Sequence, residues 1–127
     1  VNLIYIALGG AIGSLLRHFA AMTVSRLAGA WLPWGIMLVN VTGSFVIGCA
    51  AGSLVSAASD TDGMFVRYFV MIGLCGGYTT FSSFSLSTLH LLHLGMVGRA
   101  FLHVGLSVIA CLAATAAGYA LAAAASR

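Results

Sequence analysis

The sequence predicts an all-α integral membrane protein with four transmembrane helices per chain, and three observations carry that prediction. Of the 127 residues, 61% are hydrophobic and 6% are charged, where soluble domains carry about 25% charged residues. The charges are five arginines (Arg17, Arg26, Arg67, Arg99, Arg127) and two acids, Asp60 and Asp62. No charge interrupts the chain between Arg67 and Arg99 or between Arg99 and Arg127. Each interval holds the roughly 20 apolar residues that a spanning helix needs.

The spans are expected at residues 3–24, 34–57, 66–94 and 99–123. Short connections join them. Residues 27–33 carry the chain's one proline, residues 59–63 carry both acids, and residues 95–98 form a glycine turn. Nothing is left over for a linker or second domain, so residues 1–127 are expected to form one four-helix transmembrane domain. The alanine-rich end, residues 113–125, fits a closely packed helix.

Composition also excludes function classes. The net charge of +3 reflects scarce acids more than a basic patch, which argues against nucleic-acid binding. Ala28-Gly29-Ala30 resembles a signal-cleavage site, but nothing basic precedes Leu3 and Arg17 lies deep in the segment, contrary to the order of a signal peptide. The first segment is therefore expected to be a retained span. Cys49, Cys75 and Cys111 fall far apart within predicted spans. They read as packing residues, with no metal spacing and no disulfide framework. No nucleophile–base pair supports an enzyme.

Four spans put the N-terminus, the second connection and the C-terminus on one side. That side holds Arg67 and Arg127; the other holds Arg26 and Arg99. Orientation follows the arginine and lysine imbalance, and two against two gives none, with Arg17 adding a marginal bias. Such a chain can insert both ways, which allows an antiparallel dimer, and oligomers are most often twofold.

The polar residues of the spans fall on faces. On helix one, Gly10, Gly13, Ser14 and Arg17 follow the i, i+3, i+4, i+7 spacing of a single face. An arginine in a span is usually paired or turned to a wet cavity, although Arg17 can also snorkel to the interface. On helix two, Asn40, Ser44, Gly48 and Gly52 recur every four residues. Gly48-x-x-x-Gly52 permits close helix contact. Asn40 either bonds across helices as glue or donates its NH₂ to a passing ligand. On helix four, His103, Ser107, Cys111 and Thr115 form another stripe.

Helix three is expected to break. Gly76-Gly77 precedes Thr79-Thr80, and seven of the ten residues from Thr79 to Thr88 carry hydroxyls. Paired glycines and β-branched threonines are poor helix formers. Irregular backbone at membrane depth is tolerated only inside protein or along a cavity, where freed carbonyls and half-helix ends build ion sites.

The lining these faces suggest is rich in donors and contains no intramembrane carboxylate. Cation and proton pathways usually place an acid in the membrane, so an anion fits better. Phe81 and Phe84 share a face within the hydroxyl run. Their ring edges carry partial positive charge and can help to solvate a small anion, or the rings simply pack. His103 is expected at the mouth of the pathway, where an imidazole titrating near about 6.5 gains charge in mild acid.

These segments resemble the Fluc, or CrcB, family of fluoride channels. The resemblance rests on residues 10–18 (GAIGSLLRH), 34–48 (WGIMLVNVTGSFVIG) and 73–85 (GLCGGYTTFSSFS). The Gly-Gly-x-Thr-Thr-Phe-Ser-x-Phe-Ser run is its specific part. It implies a passive, fluoride-selective channel, formed as an antiparallel, dual-topology homodimer with two pathways and lodged as a multi-pass protein in the cell (inner) membrane of a prokaryote. Asn40, Phe81, Phe84, Ser83, His103 and Ser107 would line each pathway, with Arg17 as the charge at its entrance. A structural sodium ion (Na+) at the dimer centre would be held by the backbone carbonyls of Gly76 and Thr79. The sequence departs from the family at His103, where tyrosine is usual, and at Cys111, where a hydroxyl is common. A small multidrug or guanidinium exporter is the rival reading, but that chemistry needs a membrane-embedded glutamate and the chain has no Glu. A structural subunit would leave the helix-three hydroxyls unexplained.

Overall fold

The computed structural model of the chain describes residues 1–56 and 60–127, and of Ser56, Asp60 and Asp62 the backbone only. Four helices are long and apolar enough to cross a membrane: Asn2–Ala28, Trp34–Ser53, Gly63–His93 and Val97–Ala125. We label Asn2–Ala28 α1 and Trp34–Ser53 α2. The third span divides into α3, residues 60–78, and α4, Phe81–His93; Val97–Ala125 is α5.

The expected spans are all present, with shifted ends. Helix α1 runs four residues past the expected Val24, to Ala28. Helix α2 ends at Ser53 and tightens into a 3₁₀ turn, Leu54–Ser56; the expected end at Ala57, and Ser59 of the second connection, lie outside the described residues. Asp60 and Asp62 belong to the first helical turn of α3, Asp60–Phe65, rather than to a loop. Gly98 likewise lies inside α5. The turn before it is closed by Gly95, whose φ is +75°. Gly95 N–H bonds Leu92 O at 3.0 Å and Met96 N–H bonds Leu91 O at 2.9 Å, the paired bonds that end a helix on a left-handed glycine.

Two helix pairs build the bundle, α2 with α5 and α1 with α3. Both depend on backbone-to-backbone approach. A Cβ on Gly48 would collide with the Thr115 backbone of α5, and one on Gly52 with the Tyr119 carbonyl, so the Gly48-x-x-x-Gly52 contact expected from sequence is present. In lipid there is no hydrophobic drive between apolar helices, and close packing of small residues takes its place. Large apolar side chains such as Leu15, Phe19, Ile109 and Leu112 point outward, which suits a lipid exterior. Of the polar side chains, Thr80, His103 and Ser107 are buried.

Helix α3 contains the expected irregularity and more. Val66–Cys75 winds in the wider π form, long for a form usually met as single-turn bulges. After a last α turn, Gly76–Tyr78, the chain extends at Thr79 (φ −79°, ψ 157°) and Thr80 (φ −151°, ψ 111°). It re-enters the helix at Phe81, where the Thr80 hydroxyl accepts the Ser83 N–H at 3.1 Å. Threonine is a favoured N-cap because its short side chain reaches an orphan donor of the first turn. The break is therefore a pair of extended residues with a capped restart.

Candidate functional site

The break is locked to its neighbours by side chains from two helices. Asn40 of α2 donates Nδ2–H to Thr80 O at 3.1 Å and accepts Thr80 N–H on Oδ1 at 2.8 Å. The amide thus replaces the helical ladder at Thr80. Arg17 of α1 points its Nη1 at Thr79 O, a long contact of 3.5 Å. The Thr79 hydroxyl and N–H both reach back to Cys75 O, at 2.8 and 2.9 Å. On α2, Thr42 Oγ1 lies 3.0 Å from the Tyr78 hydroxyl.

Two cavities flank this segment. One, of about 340 Å³, is lined by Asn40, Ser44, Thr80, Phe81, Phe84 and Ser107, with Gly76, Thr79, Cys75 and Cys111 among the remaining wall. The other, of about 400 Å³, is lined by Ser14, Arg17, His18, Ser25, Thr80 and Ser83. Thr80 is common to both, so the break stands between an arginine-bearing cavity and a phenylalanine-bearing one.

Asn40, Phe81, Phe84 and Ser107 are brought together around the first cavity. The Phe81 and Phe84 ring centroids lie 5.3 Å apart, tilted by 40°. Phe81 is 79% exposed, so in one copy of the chain it is not a packing residue. Of the two alternatives left open by the sequence, the bonds to Thr80 show the first, a tie across helices. One N–H ties the break to α2, while the second is uncommitted on a side chain that lines the cavity. Ser83 is separated from this group and lines the arginine side instead.

His103 is placed differently from expectation. It is wholly buried, at 0% exposure, and not at an open mouth. Its ring lies against Phe84, with centroids 5.1 Å apart. Its Nδ1 stands 3.5 Å from Ser107 Oγ, and its Nε2 has no hydrogen-bond partner. The Phe84 backbone is a polar neighbour of the imidazole without closing a bond on Nε2. The polar stripe explains the displacement: His103 and Ser107 are one turn apart, and the face they share is the face α5 turns inward. An unpaired buried nitrogen is uncommon, and each case asks for a cause.

Thr80 is the residue at the centre of this geometry that the sequence left aside in favour of Thr79. A local signal existed, since a threonine immediately before a helix restart reads as an N-cap. Its pairing with Asn40, forty positions away, had no local signal.

The fit of a cation to the break rests on backbone oxygens. Among the described residues, no group of three or more His, Cys, Asp or Glu could hold a metal. Extended Thr79 and Thr80 interrupt the ladder and free carbonyls, the oxygen type that hard cations take. Nothing lies closer than 4.0 Å to a Cβ built on Gly76, so its surroundings are open. The two carbonyls expected from sequence, those of Gly76 and Thr79, are fewer than a hard cation takes, and the Arg17 guanidinium bears on the second of them. The residues fit in ligand type, and a second copy would raise the number of these carbonyls to four.

Fold and site together define a small multi-pass membrane protein with a polar, carboxylate-free site at a broken third span. The profile of the CrcB family, described as CrcB-like protein, Camphor Resistance (CrcB), matches residues 4–119, and the chain belongs to that family. It is 48% identical to the "Fluoride-specific ion channel FluC" of Methylobacterium radiotolerans, over 94% of this chain and 83% of that protein. It is 45% identical to the protein of that name from Methylocella silvestris, over 96% and 93%. A third relative, from Gluconobacter oxydans, is 49% identical over 90% of this chain and 79% of its own length. These relatives are named as ion channels and not as enzymes, and they are bacterial.

Proposed function

We propose that this chain forms a fluoride-selective ion channel in a prokaryotic cell membrane and conducts fluoride passively. The observation that carries the reading is the cavity where Asn40, Phe81, Phe84 and Ser107 meet beside the helix break. A bare anion in a low-dielectric medium costs tens of kcal/mol by Born estimates unless donors replace its water shell. The free N–H of Asn40, the Ser107 hydroxyl and the edges of the two rings are such donors. None is a fixed positive charge, so the ion is held loosely enough to leave, as conduction requires. Arg17, in the adjoining cavity, raises the local anion concentration at the entrance. Ser83 then belongs to the entrance side and His103 to the inner track with Ser107. The names of the relatives support fluoride as the ion.

The functional unit in this reading is an antiparallel homodimer with two pathways. The arginines flanking the spans balance between sides, and Phe81 extends outward from one copy. A twofold axis at the break would bring the Gly76 and Thr79 carbonyls of both copies together as ligands for a structural sodium ion. Bound there, the ion would pin the two breaks to each other by charge–dipole attraction.

The deciding experiment is fluoride release from liposomes that contain the purified chain. Fast release with no measurable chloride release is expected. Liposomes that hold their fluoride, with folded dimer present, would end this reading.

A further inference from the structure

We infer that the end of the bundle far from the acids carries a site for the phosphate headgroup of an anionic lipid, centred on Arg99. A cavity of about 650 Å³ opens there, between the loop joining α1 to α2 and the turn joining α4 to α5. Ser25, Ser87, His90 and Arg99 supply its polar wall, and leucines such as Leu86 and Leu94 its apolar wall. The first matches a phosphate and the second the start of an acyl chain. Free phosphate would use only one of them.

Arg99 is held in place. Its guanidinium carbon lies 5.0 Å from the centroid of the Trp31 ring, and its Nη1 donates to Met96 Sδ at 3.4 Å. Trp31 stacks on Trp34, centroids 6.5 Å apart at 22°, and Trp34 packs on a buried cluster of Leu32, Met37, Leu91 and Ala100. The chain has two tryptophans, and both are at this end. Indole rings favour the headgroup level of a bilayer. A guanidinium over an indole face, with one N–H on Met96, has further N–H donors left for the oxygens of a phosphate.

Among the described residues, Arg99 has no acidic partner within reach. The acids of the chain are Asp60 and Asp62, beyond the far end of α2, whose 20 residues span about 30 Å. That is several times the screening length of about 8 Å at physiological salt. Arg26, in the last turn of α1, adds a second positive charge at the same end. The start of α5 has neither a side-chain cap nor an acid in its first turn, so its positive dipole end is uncompensated.

This cavity shares no lining residue with the one around Asn40 and Phe81, and meets the Arg17 cavity at Ser25 alone. Trp31 and Trp34 provide the readout. The full chain is reconstituted in phosphatidylcholine vesicles containing rising fractions of dibrominated phosphatidylglycerol or of dibrominated phosphatidylcholine. Brominated phosphatidylglycerol is expected to quench tryptophan fluorescence at about one-fifth the mole fraction, the factor that one basic side chain contributes near an anionic surface. Arg99→Gln should abolish the difference, Arg99→Lys should keep part of it, and Arg26→Gln should keep most. Equal quenching by the two lipids in the unaltered chain would overturn the proposal. So would a preference that survives Arg99→Gln in protein that elutes like wild type, or weak quenching by both lipids because a second copy covers the tryptophans. Relief of quenching by millimolar inorganic phosphate would assign the site to the free ion and overturn the lipid.

Discussion

The side-chain amide of Asn40 and the backbone of Thr80 are joined by two hydrogen bonds, 3.1 Å from Nδ2 to the carbonyl and 2.8 Å from the N–H to Oδ1. A peptide unit cut out of its ladder inside a membrane would otherwise leave a donor and an acceptor without water to bond. Asn40 is therefore both the support of the break and part of the cavity wall beside it.

Asn40→Asp separates these roles. The carboxylate still accepts the Thr80 N–H but offers no donor to Thr80 O, and it places a negative charge where an anion must pass. Fluoride release is expected to fall by well over tenfold, more than about 1.4 kcal/mol on the barrier. Loss of one buried hydrogen bond would lower stability by only about 1–3 kcal/mol. Release assays alongside thermal melts in detergent check both halves; normal release would remove Asn40 from the pathway.

For Phe81 and Phe84 the test is the ring edge. Isoleucine at either position stays apolar and loses that edge. Each change is expected to cut fluoride release about tenfold or more while the protein keeps its elution volume. Phe81 is the sharper probe, since its exposure in one copy leaves little packing to lose. Full release in both variants would mean that the rings only pack.

Arg17→Gln should act through the field and not through fit. Its guanidinium makes only a long contact to Thr79 O and lines the outer cavity. Removing that charge should slow release several-fold at low ionic strength, and the deficit should shrink in concentrated salt. Screening supports this expectation, because the Debye length falls from about 10 Å at 0.1 M to about 3 Å at 1 M. A deficit independent of salt would point to a structural role.

Glycines at close and open positions should behave oppositely. A side chain on Gly48 must displace the Thr115 backbone, so Gly48→Val is expected to destabilise by at least about 1–3 kcal/mol, the usual range for overpacking. Around Gly105 of α5 nothing lies within 4 Å of an added Cβ. Gly105→Ala should then be neutral, or stabilising by up to about 1 kcal/mol from helix propensity. Melting temperatures in detergent decide both. A harmful Gly105→Ala would reveal that a second copy packs there.

These expectations also mark what the sequence could convey. The spans were legible because charge is excluded from lipid, and Arg67, Arg99 and Arg127 bracket two of them. The break was legible because Gly76-Gly77 and Thr79-Thr80 are poor helix formers by local chemistry. Helical spacing marked the face of each helix that carries Asn40, Phe81 with Phe84, and Ser107, while their meeting was an expectation from the family resemblance. Not legible were the bond from Asn40 to Thr80, the separation of Ser83 from the phenylalanines, and the burial of His103. Each depends on how one helix is rotated against another, and the π winding of Val66–Cys75 changes that rotation with no local sequence mark.

His103 gives the last prediction, and it sets stability against function. Its Nε2 is buried without a partner, while Nδ1 faces Ser107 Oγ at 3.5 Å. A neutral imidazole carries one donor and one acceptor. If the Ser107 hydroxyl donates to Nδ1, the proton sits on Nε2 and is free to bond an anion passing Phe84. Until an anion arrives, the unmet bond costs about 1–3 kcal/mol. Phenylalanine fills nearly the same space and has no nitrogen to satisfy. His103→Phe is therefore expected to raise the melting temperature while lowering fluoride release several-fold. Few substitutions in a packed core do both, since most lower stability. His103→Phe protein that melts lower and still conducts normally would show that the imidazole is an ordinary packing residue, and that its nitrogen is satisfied by something other than the ion.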